Sequence, residues 1–314
     1  MNDALAEPTS QTLGVFDGPR DIDTPGDAAA AVLPLLEQWG EAHLRDSPRS
    51  ALMLSGGVDS LLLAATYAAQ GFKPLCVTVA IPGTPDAVGA VAAATHLGLE
   101  HHLIDARAVV SLWHEVSDAL GTDELWEVTA GIPMVAVYRL LDELGVSGPV
   151  LEGGRADAIF LGGWSSEGEL RDEQLRRANA TFTFQIPDFY ERLVGEAGAE
   201  RHLQPYSTQA MWGVAGRLTK NALYVRRDGV TYDKAGLREA AVRLGVPEHL
   251  AWTVKDPLQR SSGLMELLAD EARAWMSARP LATAYSDPRA EPADQALARL
   301  WLAARSQVGI KATT

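Results

Sequence analysis

The chain has a single cysteine, Cys76. One thiol makes no intrachain disulfide and no cysteine zinc cluster, so the chain needs no oxidising compartment. No apolar run is long and uninterrupted enough for a membrane-spanning helix. Met1–Gly26 lacks the basic stretch and apolar core of a signal peptide. Basic residues are scarce: 27 Lys and Arg stand against 41 Asp and Glu, a net charge of −14. That balance opposes broad contact with nucleic-acid phosphates or an anionic bilayer. Glycine (28) and proline (17) follow no period, and there is no internal repeat. The expectation is a cytoplasmic chain with neither nucleic acid nor membrane as partner.

What is there is ordinary globular material, 47% hydrophobic and 22% charged over 314 residues, enough for about two domains. Residues 1–25 read as a mobile or surface arm. Asp27–Leu44 repeats Val32, Leu35, Leu36 and Trp39 at helical spacing. The apolar run Ala51–Leu54 leads into Ser55–Ser60. The buried helical pattern Leu61–Gln70 follows, and Gly71 ends it. Leu75–Ala80 reads as a valine-rich strand, Asp86–Leu97 as a helix and His101–Ile104 as a third strand. Ile132–Leu144 reads as a helix with Pro133 in its first turn. Val150–Leu151 is a fourth strand. This alternation predicts an α/β fold with a parallel sheet. After Gly168 strand signals fade and helical patterns dominate, at Met211–Leu218, Asp233–Leu244, Leu264–Met276 and Ala293–Ala304.

The most informative residues are Ser55, Gly56, Gly57, Val58, Asp59 and Ser60. A glycine-rich turn between a buried strand and a buried helix aims backbone N–H groups and a helix dipole at one spot, which suits an anion. Gly56 and Gly57 allow a tight turn and close approach of a ligand. Asp59 repels a bare phosphate but fits one carrying a divalent cation, and hard oxygen ligands suit magnesium. No Gly-Lys-Ser/Thr follows, so this is not a Walker A loop. It resembles the Ser-Gly-Gly-x-Asp-Ser loop of the PP-loop ATP pyrophosphatases, in which that loop grips the pyrophosphate of ATP while the α-phosphate is attacked.

Further motifs narrow the resemblance to the synthetase domain of asparagine synthetases. They are Val77–Ala80, Gly83-Thr84-Pro85-Asp86 and His101-His102, in that order. Next comes Glu152-Gly153-Gly154-Arg155-Ala156-Asp157 with Gly162-Gly163-Trp164. Lys234 with Leu237-Arg238, and Lys255-Asp256-Pro257, resemble the family's closing region. The resemblance covers about Ser50–Gly263. It implies a twisted parallel sheet with helices on both faces (adenine nucleotide alpha hydrolase-like), and helical decoration toward the C-terminus. It implies an arm at 1–25, a synthetase domain at 26–305 and a tail at 306–314. Within the domain, 26–165 would be the nucleotide-binding part and 166–305 the mainly helical substrate part. It further implies ATP and Mg2+ as cofactors. Asp59 and Asp157 would hold the metal, and Lys234 and Lys255 would offset phosphate charge. Leu54, Val79 and Gly153 would meet the nucleotide, together with the six loop residues.

Three departures stand out. Asn2 follows Met1, where asparagine synthetases carry the catalytic cysteine of a glutaminase domain, and only about fifty residues precede the loop. The reading therefore expects free ammonia or an amine, or a separate amidotransferase, as nitrogen source. The family's Ser-Gly-Glu-Gly is here Glu152-Gly153-Gly154-Arg155, with the glutamate displaced by two positions. Glu152 and Arg155 become substrate-contact candidates. The Glu-x-Arg-x-Pro-Phe-Leu-Asp motif survives only partly in Glu200–Thr208, which argues against a standard aspartate pocket.

The expected activity is adenylation of a small-molecule carboxylate or amide-like oxygen, with release of pyrophosphate. A nitrogen nucleophile then forms an amide or amidine, in specialised biosynthesis. Two alternatives stand beside it: a non-catalytic nucleotide-binding or scaffold homologue, and a sulfur-transferring enzyme using Cys76. His101 and His102 read as structural strand residues, and Cys76 as a buried core residue. A homodimer is compatible with the sequence.

Overall fold

The computed structural model describes residues 18–122, 125–163, 188–254, 256–278, 287–290, 292–293 and 296–297. Among these residues five strands form the main sheet: β1 (Ala51–Met53), β2 (Leu75–Ala80), β3 (His101–Asp105), β4 (Val150–Leu151) and β5 (His202–Leu203). Their order is β3-β2-β1-β4-β5, and every neighbouring pair is parallel. β1, β2 and β4 are buried on both faces except at Met53. They therefore read as continuous apolar runs instead of alternating ones.

Helices cover both faces. On one face α1 (Pro25–Leu44) and α2 (Val58–Ala69) share a core with the helix Ala235–Arg243, through Ala28, Val32, Leu36, Leu62, Leu237 and Ala241. On the other, the helices Trp113–Leu120, Leu125–Glu143 and Leu264–Ser277 pack around Val77, Val79, Ile132 and Leu268. α3 (Pro85–Leu97) follows β2, and Thr84 and Pro85 set its first turn. Gly98, at φ 63°, closes it in the left-handed region that glycine enters freely. This is the α/β parallel sheet that the alternation of elements predicts.

The order reverses at β1: β2 and β3 lie to one side, β4 and β5 to the other. In open parallel sheets such a reversal opens a crevice beyond the carboxyl ends of the two central strands. Leu54–Ser60 leaves β1 at that point, and Glu152-Gly153-Gly154 leaves β4.

Several expectations change. Residues 18–24 do not form a free arm. Ile22 is buried, its N–H donates to the Arg217 carbonyl at 3.1 Å, and its carbonyl accepts from Thr219 N–H at 2.9 Å. Thr24 caps α1, which starts at Pro25 instead of Asp27. The helix expected at Ile132–Leu144 begins at Leu125, so Pro133 lies inside it. Apolar packing on Val128 and Ile132 outweighs the hydrogen bond that Pro133 cannot make. Strands also continue past Gly168. β5 is one case, and the hairpin β6 (Val225–Arg227) with β7 (Val230–Tyr232) is another. Asp228 (φ 49°) and Gly229 (φ 81°) form the hairpin turn, a pair of positive φ values typical of an Asp-Gly turn. The helix expected at Ala293–Ala304 falls largely outside the described residues. Among the described residues no helix is long and apolar enough to cross a membrane.

Candidate active site

The loop after β1 is held by its own side chains. Ser55 N–H donates to Ser60 Oγ at 2.9 Å, and Gly57 N–H to Ser55 Oγ at 3.3 Å. Gly56 N–H donates to Asp86 Oδ1 at 3.2 Å. Three backbone donors of the loop are thus committed to shaping it. The N–H groups of Val58, Asp59 and Ser60 open α2, where helix geometry supplies no intrahelical acceptor. Helix N-termini of this kind suit an anion. Leu54 continues the β1–β2 pairing (N–H to Val77 carbonyl, 2.9 Å), and its carbonyl accepts from Thr78 Oγ at 2.6 Å.

The glycines act differently from the sequence expectation. Gly56 has no positive φ and Gly57 lies at φ −90°. A Cβ on Gly56 would stand 2.9 Å from the Pro85 carbonyl, and one on Gly89 would stand 2.7 Å from Gly56 Cα. Close approach of α3, more than approach of a ligand, requires glycine at 56. Gly153 is similar: a Cβ there would meet Asp59 Cβ and Ser60 N, each at 2.9 Å.

The acidic residues and Lys234 converge. Lys234 Nζ donates to Asp59 Oδ2 and to Asp157 Oδ1, both at 2.7 Å. Lys234 is held at φ 49° just before the helix Ala235–Arg243. The neighbouring Asp233 accepts from Gly163 N–H at 2.7 Å and from the Arg238 guanidinium at 3.0 Å. Burial raises the Asp59 carboxyl above its usual range; Lys234 opposes this, and the charges of Asp157 and Asp233 reinforce it. Burial alone would lower Lys234, but the three carboxylates hold its ammonium charged, with a raised pKa. Three acids face one lysine, and Arg238 is also bound to the carbonyls of Ala251 and Thr253, each at 2.9 Å.

This cluster fits a magnesium ion carried in with phosphate. Asp59 Oδ1 is buried without a hydrogen-bond partner among the described residues. The Asp157 side chain is 72% exposed. Among the described residues no three His, Cys, Asp or Glu side chains form a ready-made cage. Magnesium characteristically takes one or two carboxylates and completes its shell with water and phosphate oxygens. The ammonium of Lys234 stands between the two carboxylates, in the place the sequence reading assigns to the metal.

Glu152 anchors a second cluster. Its Oε1 accepts from Tyr190 OH at 2.8 Å and from Gln204 Nε2, and its Oε2 lies 3.4 Å from His202 Nε2. Burial opposes its charge, but His202, Gln204 and Tyr190 together hold the carboxyl down to about 2. Tyr190 stacks on the His202 ring, with centroids 4.3 Å apart. A Cβ on Gly154 would collide with Glu152 Oε1, and would stand 2.6 Å from Gln204 Nε2. The Glu152 carboxylate therefore fills the space beside residue 154. Arg155 turns to Gln204 Oε1 (Nε, 3.0 Å).

A cavity of about 470 Å3 joins the two clusters. Leu54, Ser55, Gly57, Val58, Asp59, Ser60, Val79, Glu152, Gly153, Asp157 and Lys234 line it; Gly56 and Arg155 do not. Its apolar side carries Met53, Val77, Pro133 and Val137, and its far wall Asp256, Pro257, Leu258 and Gln259. Lys255 lies outside the described residues. Cys76 is buried in β2 and its thiol is pushed up to about 12. His101 Nε2 meets Thr78 Oγ at 2.8 Å, and His102 meets Glu100 at 3.3 Å. Neither histidine lines the cavity.

Tyr190, His202, Gln204 and Asp233 were not among the site residues expected from the sequence, and Asp86 was read only as a motif residue opening a helix. An acid after Thr-Pro, and an acid preceding a candidate lysine, were the available signals for Asp86 and Asp233. The other three depend on β5, two residues long, and on a helix (Phe189–Glu200) that carry little periodic signal.

Comparisons with known proteins bear on the family of the chain. Residues 31–228 match the family described as Asparagine synthase. The chain is 25% identical over 288 residues to asparagine synthetase B [glutamine-hydrolyzing] of Escherichia coli (strain K12), covering 82% of this chain and 50% of that protein. It is 28% identical over 198 residues to asparagine synthetase [glutamine-hydrolyzing] 2 of Oryza sativa subsp. japonica, covering 56% and 30%. The chain thus spans half the length, or less, of these curated relatives. Among solved structures, NMN synthetase from Francisella tularensis aligns at 12% identity over 77% of this chain and 86% of that chain, with a TM-score of 0.41. The family match covers well over half of the sequence, through the phosphate loop and both acidic residues, and the chain belongs to the asparagine synthase family.

Proposed function

We propose that this chain is an ATP-dependent ligase that forms an amide or amidine with release of AMP and pyrophosphate. A carboxylate or amide-like oxygen of a small molecule attacks the α-phosphate of ATP, and the bond to pyrophosphate breaks. A nitrogen nucleophile, ammonia or an amine, then adds to the activated carbon, AMP leaves with the electron pair, and the nitrogen releases one proton to solvent. Such catalysis is mainly positioning and charge stabilisation.

The observation that carries the reading is the Asp59–Lys234–Asp157 cluster, beside the N-terminus of α2 and at the sheet's crevice. The N–H groups of Val58–Ser60 and the ammonium of Lys234 meet the pyrophosphate half, where negative charge accumulates as the bond breaks. Asp59 and Asp157 would hold magnesium, which when bound screens the phosphate oxygens. The apolar side around Val77, Val79 and Val137 suits the flat face of a base. Glu152, fixed beside Gly154, presents an anion to the nitrogen nucleophile and orients it. We assign its displaced position to this exchange with residue 154. Lys255 is kept as a second phosphate contact.

Sulfur transfer through Cys76 finds no support, since the reactive form of a thiol is the thiolate and burial opposes it here. The test is pyrophosphate release from Mg·ATP across a panel of carboxylic acids with ammonia, with Asp59→Asn alongside. Acid-dependent pyrophosphate and AMP are expected, falling by about 100-fold or more in the variant. Phosphate and ADP as products, or parental activity in Asp59→Asn, would refute the reading.

A further inference from the structure

Asp86 is a fully buried acid at the first turn of α3, and nothing in the proposed chemistry uses it. An isolated buried carboxylate is costly unless hydrogen bonds hold it. Both of its oxygens are engaged, by parts of the chain far apart. Oδ1 accepts Gly56 N–H of the phosphate loop at 3.2 Å, and Oδ2 accepts the Ser261 hydroxyl at 2.8 Å. Its place in the first turn of α3 favours a negative charge.

Ser261 ends the short helix Leu258–Ser261, which continues the cavity wall of Asp256, Pro257, Leu258 and Gln259. The same wall is tied to the exit of β2 by Ile81 N–H donating to the Ser262 carbonyl at 2.9 Å. The loop and the wall both line the cavity, and Asp86 and Ser261 are 175 positions apart in the chain. The contact between α3 and the loop is backbone on backbone, through Gly56 and Gly89. A shift of Asp86 therefore moves Gly56, and with it the turn that aims the donors of Val58–Ser60.

We propose that Asp86 is a positioning residue that couples the phosphate loop to the C-terminal wall, so that the grip on nucleotide phosphate depends on a hydroxyl, Ser261, that touches no phosphate. This rests on the nucleotide reading given above. It predicts that removing the Ser261 hydroxyl is felt at residues 54–60. It also separates geometry from charge. Asparagine at 86 still accepts from Gly56 N–H. Its amide can donate to Ser261 Oγ, whose own proton can turn to the Pro257 carbonyl, 3.1 Å away. Alanine at 86 loses both bonds.

The test compares Ser261→Ala, Asp86→Asn and Asp86→Ala with the parent, by equilibrium binding of Mg·ATP and by amide exchange of residues 54–60. Ser261→Ala is expected to weaken Mg·ATP binding about five- to tenfold, the value of one hydrogen bond, and to speed exchange in the loop. Asp86→Asn should lie within about threefold of the parent, and Asp86→Ala should be weakest. Ser261→Ala spares the buried acid and tests the coupling if Asp86→Ala fails to fold. Parental affinity and parental loop exchange in Ser261→Ala would overturn the coupling alone. A parent that binds no Mg·ATP would overturn both the coupling and the nucleotide reading. An Asp86→Ala protein of lowered melting temperature but unchanged Mg·ATP affinity would reduce Asp86 to a structural residue and refute the proposal.

Discussion

Lys234 Nζ stands 2.7 Å from Asp59 Oδ2 although 175 residues separate them in the chain. Lys234 is 8% exposed and Asp59 17%, so the pair is largely screened from water. Removing one partner of a buried pair leaves an uncompensated charge. Lys234→Met should therefore destabilise the protein by about 3 to 5 kcal/mol and abolish pyrophosphate release. Without the lysine, Asp59 and Asp157 face each other unscreened. Magnesium alone should then raise the melting temperature of the variant more than that of the parent. Thermal unfolding with and without MgCl2 checks this, and equal shifts in the two proteins would contradict it.

The Glu152 carboxylate occupies the space beside Gly154, which predicts an exchangeable pair. Gly154→Ala should collide with Glu152 and cost amide formation at least about tenfold. Glu152→Gln should leave acid-dependent pyrophosphate release within about threefold while amide formation falls about 100-fold. The double change Glu152→Ser with Gly154→Glu should recover part of that loss. Measuring pyrophosphate and amide separately in each variant decides; a double variant no better than either single one would argue against the exchange.

Glu152 also gives a pH dependence. Its folded value of about 2 lies below the ordinary 4.5. A lowered folded pKa means stability that is whole above 4.5 and is lost as pH falls toward about 2. The full contribution is on the order of 3 kcal/mol. Urea unfolding of the parent should show this loss across that window. Glu152→Gln should flatten the profile there, and an unchanged slope would show that other carboxylates dominate.

Cys76→Ser should keep its activity within about twofold, because the thiol is buried in β2 and does not line the site cavity. Stability should fall by about 1 to 2 kcal/mol, the cost of a hydroxyl in an apolar place. Pyrophosphate assays and melting curves test the two halves, and lost activity in a folded variant would reopen the thiol's role.

What could be read along the chain was local. β1, the loop Ser55–Ser60 and α2 are contiguous, and an apolar run, a glycine pair and a second apolar run report burial directly. Val150–Leu151 before Glu152-Gly153-Gly154 was legible in the same way. Pro133 misled because proline usually marks a first turn, whereas here packing of Val128 and Ile132 carries the helix through it. The Asp228-Gly229 hairpin had a turn signal, but its strands are three residues each and partly exposed.

The amino-acid order by itself determined that a glycine-rich turn joins the first buried strand to a buried helix, that an acidic residue stands in that turn, and that the chain resembles the PP-loop family. Those depend on neighbours within a few residues, where backbone geometry leaves few choices. Only the tertiary structure decided that Lys234 sits between Asp59 and Asp157, that Glu152 reaches back over Gly154, and that Asp86 links Gly56 to Ser261. The first and the last of these join segments brought together by the reversal of strand order and by burial against a shared core, and no local spacing encodes which distant charge a buried carboxylate will meet.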